Sequence, residues 1–361
     1  MSQTILKKDR RSPFRPAIAA MQGYAPGEWP AIDSGVLKLN SNENAYPPSP
    51  NVLAALSGLD GELLRRYPDP RSQYFCQIAG QAFGVPADWI LAGNGSDDVL
   101  TLLVRACAEQ RRTIAYPTPT YVLYRTLAAI QPAETIEIPY QIEGDRWQLP
   151  VEQLLEADAA ITFVASPNSP SGHVVPKADL RLLAAGLSGV LVIDEAYVDF
   201  STEDSLDLVR EFEHVVVLRT LSKGYSLAGL RLGFGCAQPT LLEGLKKVKD
   251  SYNVDAIALR LGAAAILDQA YKNECVSKIK EHREELAIAL KKIGFKVGRS
   301  HTNFLLVTPP CNAQKLQENL RDRDILIRYF NEPYLQDKLR ITVGTPQQNQ
   351  RLLNAIEQII E

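Results

Sequence analysis

Lys223 lies in the run RTLSKGYSLAGLRLGF (219–234), directly after the apolar residues 215–218. A buried strand that delivers a lysine into a loop of hydroxyls and glycines holds its amine near a cleft. Desolvation and neighbouring cations there favour the neutral, nucleophilic form. These are the needs of a Schiff-base lysine, although alone the position also fits a solvated loop lysine. Asp194 closes the apolar run VLVID, followed by Tyr197. A carboxylate at a buried strand end needs a partner, and a protonated ring nitrogen would use it chemically by staying cationic and electron-withdrawing. Asp194 could equally cap a following helix. Tyr197 could share Asp194's side of a helical turn and bond a ring hydroxyl, or be a plain core tyrosine. In ASPNSPSG (165–172) the prolines and glycine shape a tight loop that presents the Asn168 amide to a phenolate oxygen, or simply form an Asx turn. In AGNGSDDV (92–99) the glycines precede Ser96 at a helix start, where backbone N–H groups and the helix dipole can hold a phosphate. Asp98 stands where a dinucleotide-binding G-x-G-x-x-G would need its last glycine.

Residues of this kind need a sheet behind them. Between about residues 90 and 237 the runs WILAGN, TIAYP, TIEIPY, AAITFVASP, GVLVIDEAY, HVVVLRTLSK and LGFGCA alternate with stretches of helical composition. Most are continuously apolar, the pattern of strands covered on both faces by helices, and they imply an α/β sheet of about seven strands. The candidate residues then fall at strand ends, where such sheets bind ligands. A helical region follows over about 240–293, with Gly294 as its stop. Beyond it TNFLLVTP, DILIRYF and LRITVGT read as strands, with helices near 313–322 and 346–360, a smaller α+β unit. The first residues carry Pro13, Pro16, Pro26 and Pro30 with little periodicity and read as an extended arm. The expected division is an arm over 1–38, a large domain over 39–272 and a small domain over 273–361.

Composition narrows the classes. Apolar residues make up 45% and charged ones 22% of 361 residues, a globular balance. Lys plus Arg number 39 against 42 for Asp plus Glu, so no global basic field draws nucleic acid or an anionic membrane. No apolar run approaches the roughly 20 residues of a membrane span, and the charged start MSQTILKKDRRSPFR lacks the apolar core of a secretory signal. Five scattered cysteines without a CxxC pair suit a reduced compartment, here expected to be the cytoplasm. The four histidines show no metal-ligand spacing, and no metal is expected.

Taken in order, LNSNENAYPPSP (39–50), RYPDP (66–70), GNGSDD (93–98), YPTPTYVLY (116–124), SPNSPSG (166–172), IDEAYVDF (193–200), RTLSKGYSLAGLRLGF (219–234) and LRITVGT (339–345) resemble the fold-type I pyridoxal-phosphate-dependent aminotransferases. Within them the set is most similar to the histidinol-phosphate aminotransferase family, over about nine tenths of the chain. The resemblance implies a large three-layer α/β/α domain with a mainly parallel seven-stranded sheet and a smaller α+β domain. Its implied cofactor is pyridoxal 5'-phosphate. It makes Lys223 the cofactor-linked lysine and proton shuttle, Asp194 the pyridinium partner, and Asn168 with Tyr197 the donors to the cofactor hydroxyl. Gly95, Ser96, Ser222 and Arg231 would hold the phosphate, with Asp97 beside them, and Tyr121 would stack on the ring. Tyr67 would reach the phosphate from a second subunit, implying a homodimer with shared sites. Arg340 would grip the α-carboxylate of glutamate or the phosphate of histidinol phosphate, with Arg328, Tyr24 and Asn44 as further substrate contacts. The implied reaction moves an amino group between histidinol phosphate and 2-oxoglutarate, in histidine biosynthesis. An aromatic amino-acid aminotransferase, or a phosphothreonine decarboxylase of the same fold, is the alternative. A non-catalytic ligand-binding descendant would be expected to lose Lys223 or Asp194, and both are present. Gly224-Tyr225, where a bulkier pair is expected, is a departure bearing on loop packing.

Overall fold

A computed structural model describes residues 12–21, 23, 27–31, 33–144 and 146–360. In chain order its strands are β1 (Leu37–Lys38), β2 (Ile90–Gly93), β3 (Ile114–Thr118), β4 (Thr135–Pro139), β5 (Gln141–Glu143), β6 (Arg146–Gln148), β7 (Ile161–Ala165), β8 (Val190–Asp194), β9 (Val215–Thr220), β10 (Gly233–Cys236), β11 (Lys296–Val297), β12 (Phe304–Thr308), β13 (Ile325–Leu326), β14 (Arg328–Tyr329) and β15 (Leu339–Thr342).

The seven expected runs form one sheet in the order β2-β10-β9-β8-β7-β3-β4. Because β10 is antiparallel to both β2 and β9, and the other pairs are parallel, six strands share one direction and β10 opposes them. Every residue of β7 and β9 is buried, which is why their sequences are apolar without alternation. Successive residues still face opposite sides. Val216 and Leu218 join Val99, Leu100 and Leu103 of the helix Ser96–Cys107, whereas Val215 and Val217 join Phe75, Ala79, Leu261 and Ile266 on the other face. The edge strand β4 has no buried residue. Asp194 is the last residue of β8, and Ser96, Tyr121, Asn168 and Lys223 follow the carboxyl ends of β2, β3, β7 and β9. The geometry therefore gathers at one end of the sheet the residues that α/β sheets use for ligands.

The small unit holds an antiparallel sheet, β11-β12-β15-β14, with the helices Ala313–Arg321 and Pro346–Ile360. Three features depart from expectation. The arm does not stay outside the fold: β1 pairs in parallel with β13, and Leu37 and Leu39 are buried in the small unit's core. DILIRYF is two strands, since β13 turns to β1 whereas β14 pairs with β15. The expected boundary at 272/273 falls inside the continuous helix Gln269–Lys292.

Candidate active site

A cavity of about 730 Å³ opens at the carboxyl end of the sheet, and Ser41, Asn42, Ser96, Asp194, Lys223, Arg231, Arg328 and Arg340 are among its lining residues. Its anion cradle starts at the helix Ser96–Cys107, whose N-cap is Gly95 with φ +83°. A Cβ at Gly95 would stand 2.8 Å from Arg231 Nη2, so glycine lets the cation reach the helix start. Arg231 donates to Ser222 Oγ (3.4 Å), the Ala228 carbonyl (3.2 Å) and Asp97 Oδ2 (3.4 Å). Free N–H groups, the helix dipole and this guanidinium form a site for a phosphate. The Asp97 carboxylate orients Arg231 and accepts from Tyr121 Oη at 3.3 Å, while its backbone N–H lies in the first turn of the helix.

Asp194 supplies the opposite charge. It is 5% exposed and accepts from Tyr124 Oη (2.9 Å) and the Ala196 amide (3.1 Å). Burial pushes its carboxyl up to about 6, partly offset by the hydrogen bonds from Tyr124 and Ala196. A carboxylate held this far from water, facing a cavity, fits a cationic ring nitrogen. Beneath it Glu195 pairs with Arg219 at 2.8 Å, tying the end of β8 to β9. Tyr121 lines the cavity edge-on to Tyr124, with ring centroids 5.8 Å apart.

Lys223 Nζ donates to the Ser41 carbonyl at 3.2 Å and lies 5.6 Å from the centroid of the Tyr197 ring. Tyr197 Oη accepts from Asn42 Nδ2 (2.8 Å), which leaves the phenol's own hydrogen for a cavity ligand. Tyr197 lies in the turn after β8, ahead of the short 3₁₀ segment Val198–Phe200. The unusual Gly224 is explained by Asp199, for a Cβ at 224 would stand 2.6 Å from Asp199 Cγ. Asp199 cannot swing away cheaply, because it is buried against Lys272 at 3.1 Å. Gly224→Ala is accordingly expected to cost about 1–3 kcal/mol, read as a lowered thermal midpoint. An unchanged midpoint would mean that the Asp199–Lys272 pair gives way.

Some expected contacts are placed elsewhere. Asn168 is fully buried, with its amide hydrogens given to the Pro119 carbonyl (3.1 Å) and Ser171 Oγ (2.8 Å) while Thr120 donates to its oxygen. Asn44 is not among the cavity-lining residues; its amide donates to the Lys223 (2.8 Å) and Gly224 (3.3 Å) carbonyls and braces the lysine loop. Tyr67 is 79% exposed and stacks on Tyr252, outside its own chain's cavity. Tyr24 lies outside the described residues. Asn42, Tyr124 and Phe330 are site residues that the sequence reading did not single out.

On the small unit's side, β14 and β15 place Arg328 directly opposite Arg340. Both guanidiniums lie over the Phe330 ring, at 5.6 and 5.4 Å. Arg340 also faces Phe304 and donates to Ser169 Oγ (3.1 Å) and the Asn40 carbonyl (3.0 Å). Like charges opposite one another on a sheet repel, and both guanidiniums line the cavity.

Comparison with known proteins agrees with this geometry. Residues 34–356 match the aminotransferase class I and II family. A histidinol-phosphate aminotransferase 1 from Trichormus variabilis is 59% identical over 348 residues, 96% of this chain and 99% of that protein. One from a Nostoc species is 58% identical, covering 96% and 98%. The crystal structure of histidinol-phosphate aminotransferase from Sinorhizobium meliloti in complex with pyridoxal-5'-phosphate superposes with a TM-score of 0.87 at 24% identity, covering 97% of this chain and 99% of that one. On these similarities the chain belongs to the aminotransferase class I and II family, in its histidinol-phosphate aminotransferase branch.

Proposed function

We propose that the protein is a pyridoxal 5'-phosphate-dependent transaminase that exchanges an amino group between L-histidinol phosphate and 2-oxoglutarate, yielding imidazole acetol phosphate and L-glutamate. The observation that carries the substrate reading is the Arg328–Arg340 pair around Phe330, in the same cavity as Lys223 and Asp194. Two guanidiniums suit a phosphate dianion, and the planar fork of Arg340 also suits a carboxylate. When bound, the cofactor supplies an aldehyde to hold the amino group and a cationic ring to draw electrons from the substrate's Cα. Ser96, Ser222 and Arg231 would hold its phosphate, Asp194 its ring nitrogen and Tyr197 its hydroxyl. Lys223 would link its amine to the aldehyde and, once displaced, use Nζ to take the Cα proton and return it. The test loads the amino form of the enzyme with glutamate, then compares its return with imidazole acetol phosphate and with phenylpyruvate. Faster return with phenylpyruvate would favour an aromatic aminotransferase, and no conversion by glutamate a decarboxylase.

Arg328→Ala should reduce kcat/KM for histidinol phosphate more than for glutamate, since losing one charged partner costs about 1.5–3 kcal/mol, or roughly one to two decades. Equal losses for both substrates would remove Arg328 from phosphate selection.

The same reading includes a homodimer in the cytoplasm, consistent with five free cysteines and with no helix, among the described residues, long and apolar enough to cross a membrane. The exposed Leu53, Leu64, Tyr67, Tyr74 and Leu267 favour a second copy as the cover. Tyr67 would then complete the neighbour's phosphate site. Equal mixtures of Lys223→Ala and Tyr67→Ala subunits should recover about a quarter of wild-type activity, because half the dimers are hybrids with one intact site of two. Hybrids confirmed by mass that stay inactive would remove the shared site.

A further inference from the structure

A second cavity, of about 460 Å³, lies in the small unit, outside the site described above. Its volume falls within the usual range of small-molecule sites. One wall is the second half of the helix Gln269–Lys292, with Arg283, Glu284 and Lys291, and the other is the chain from Val297 to His301, with Arg299 and His301. Against these cations the lining offers a single carboxylate, Glu284. Arg283 is 6% exposed, and one of its nitrogens is anchored on the Thr302 carbonyl at 3.0 Å. Its remaining donors, Nε and Nη2, both go to one oxygen of Glu284, at 3.1 and 3.0 Å. Glu284 is 67% exposed on its side chain, so a surface carboxylate lies on a buried guanidinium and can rotate into water once another anion takes its place. That carboxylate takes the place an anion would occupy.

The field inside agrees. His301 is held below the usual histidine range, first by burial and then by Arg299, Arg283 and Lys280, with only Glu284 acting the other way. His173, next to the Gly172 carbonyl that accepts from the His301 amide, is pushed down to about 3 by burial and by His301. We propose that this cavity binds a small phosphate-bearing dianion, a phosphate monoester or free phosphate, on Arg283, Lys291 and Arg299, with Glu284 displaced. The site abuts the catalytic half: the His301 amide donates to the Gly172 carbonyl at 2.7 Å, and the Gly172 amide donates to the Asn168 carbonyl at 2.8 Å. Neither the cation pair Arg328–Arg340 nor the cradle at Ser96 takes part, so the proposal stands apart from the reading of the active site.

His301 is the reporter. In the holoenzyme its ring signals, assigned with His301→Gln, are titrated against pH with and without inorganic phosphate or glycerol 2-phosphate. Ionic strength is held constant with sodium chloride, since salt alone screens the same cations. A dianion seated beside the ring should raise the His301 midpoint by about one unit. Half-saturation should lie near or below about 1 mM, the weak end of specific binding. Lys291→Gln with Arg299→Gln, both exposed positions, should abolish the phosphate-dependent part of the shift. Tighter binding of glycerol 2-phosphate identifies an ester as the ligand, and equal or tighter binding of inorganic phosphate identifies the free ion. No phosphate-dependent shift, or one of equal size in the double variant, overturns the site.

Discussion

Lys223→Ala is expected to retain pyridoxal phosphate but to lose both the visible absorbance of a lysine-linked cofactor and nearly all turnover. Proton transfer alone accounts for about 10²–10⁴-fold, and the lost covalent link adds to it. Lysines 272 and 249 are no substitutes. The first is committed to Asp199 at 3.1 Å, and the second to Asn253 and the carbonyls of Pro70 and Asp250. The absorbance spectrum with bound cofactor, set beside the single-turnover rate with glutamate, checks both halves. A surviving lysine-linked band would place the attachment elsewhere.

Asp194→Asn separates two consequences of one buried charge. With cofactor present, Cα deprotonation should slow by at least about a hundredfold, the usual cost of removing a preorganised electrostatic partner. Without cofactor, the same substitution should stabilise the protein at neutral pH. The folded carboxyl titrates near 6 instead of its ordinary 3.8, so between these values the native state holds more protons than the unfolded one. Stability of the cofactor-free wild type therefore falls as pH rises through that window. Above it the deficit is on the order of 3 kcal/mol. The variant lacks this slope, so urea unfolding of the two cofactor-free proteins should diverge from about pH 4 to about pH 6, wild type becoming the weaker. Parallel curves would mean that Asp194 ionises at ordinary cost.

The sheet and the charges at its edge were legible because burial on both faces writes an unbroken apolar run, and the run's end marks where a polar residue reaches the cleft. Lys223, Asp194, Ser96 and Arg231 all sit at such ends or in the loops just beyond them. Side-chain direction was less legible. Asn44 and Asn168 come from the right segments but turn their amides toward protein carbonyls, a choice made by neighbours distant in sequence. Tyr124 shares a helix face with apolar residues and reads as core until β8 brings Asp194 to its hydroxyl. Short strands leave almost no periodic signal, which hid β1 and the division of β13 from β14.

The β1 pairing has a further consequence, one of length instead of chemistry. Leu37 and Leu39 donate to the Asp324 and Leu326 carbonyls, and the Leu39 carbonyl accepts from Thr342, fixing one end of the segment in the small unit. Immediately beyond, the Asn40 carbonyl holds Arg340, the Ser41 carbonyl holds Lys223, Asn42 holds Tyr197 and Asn44 braces the lysine loop. Both ends are tied, and few residues separate them. One added residue after Leu39 would shift every later partner by a position. The stretch supplies neither the lysine nor the aspartate, yet its residue count is as constrained as their identities.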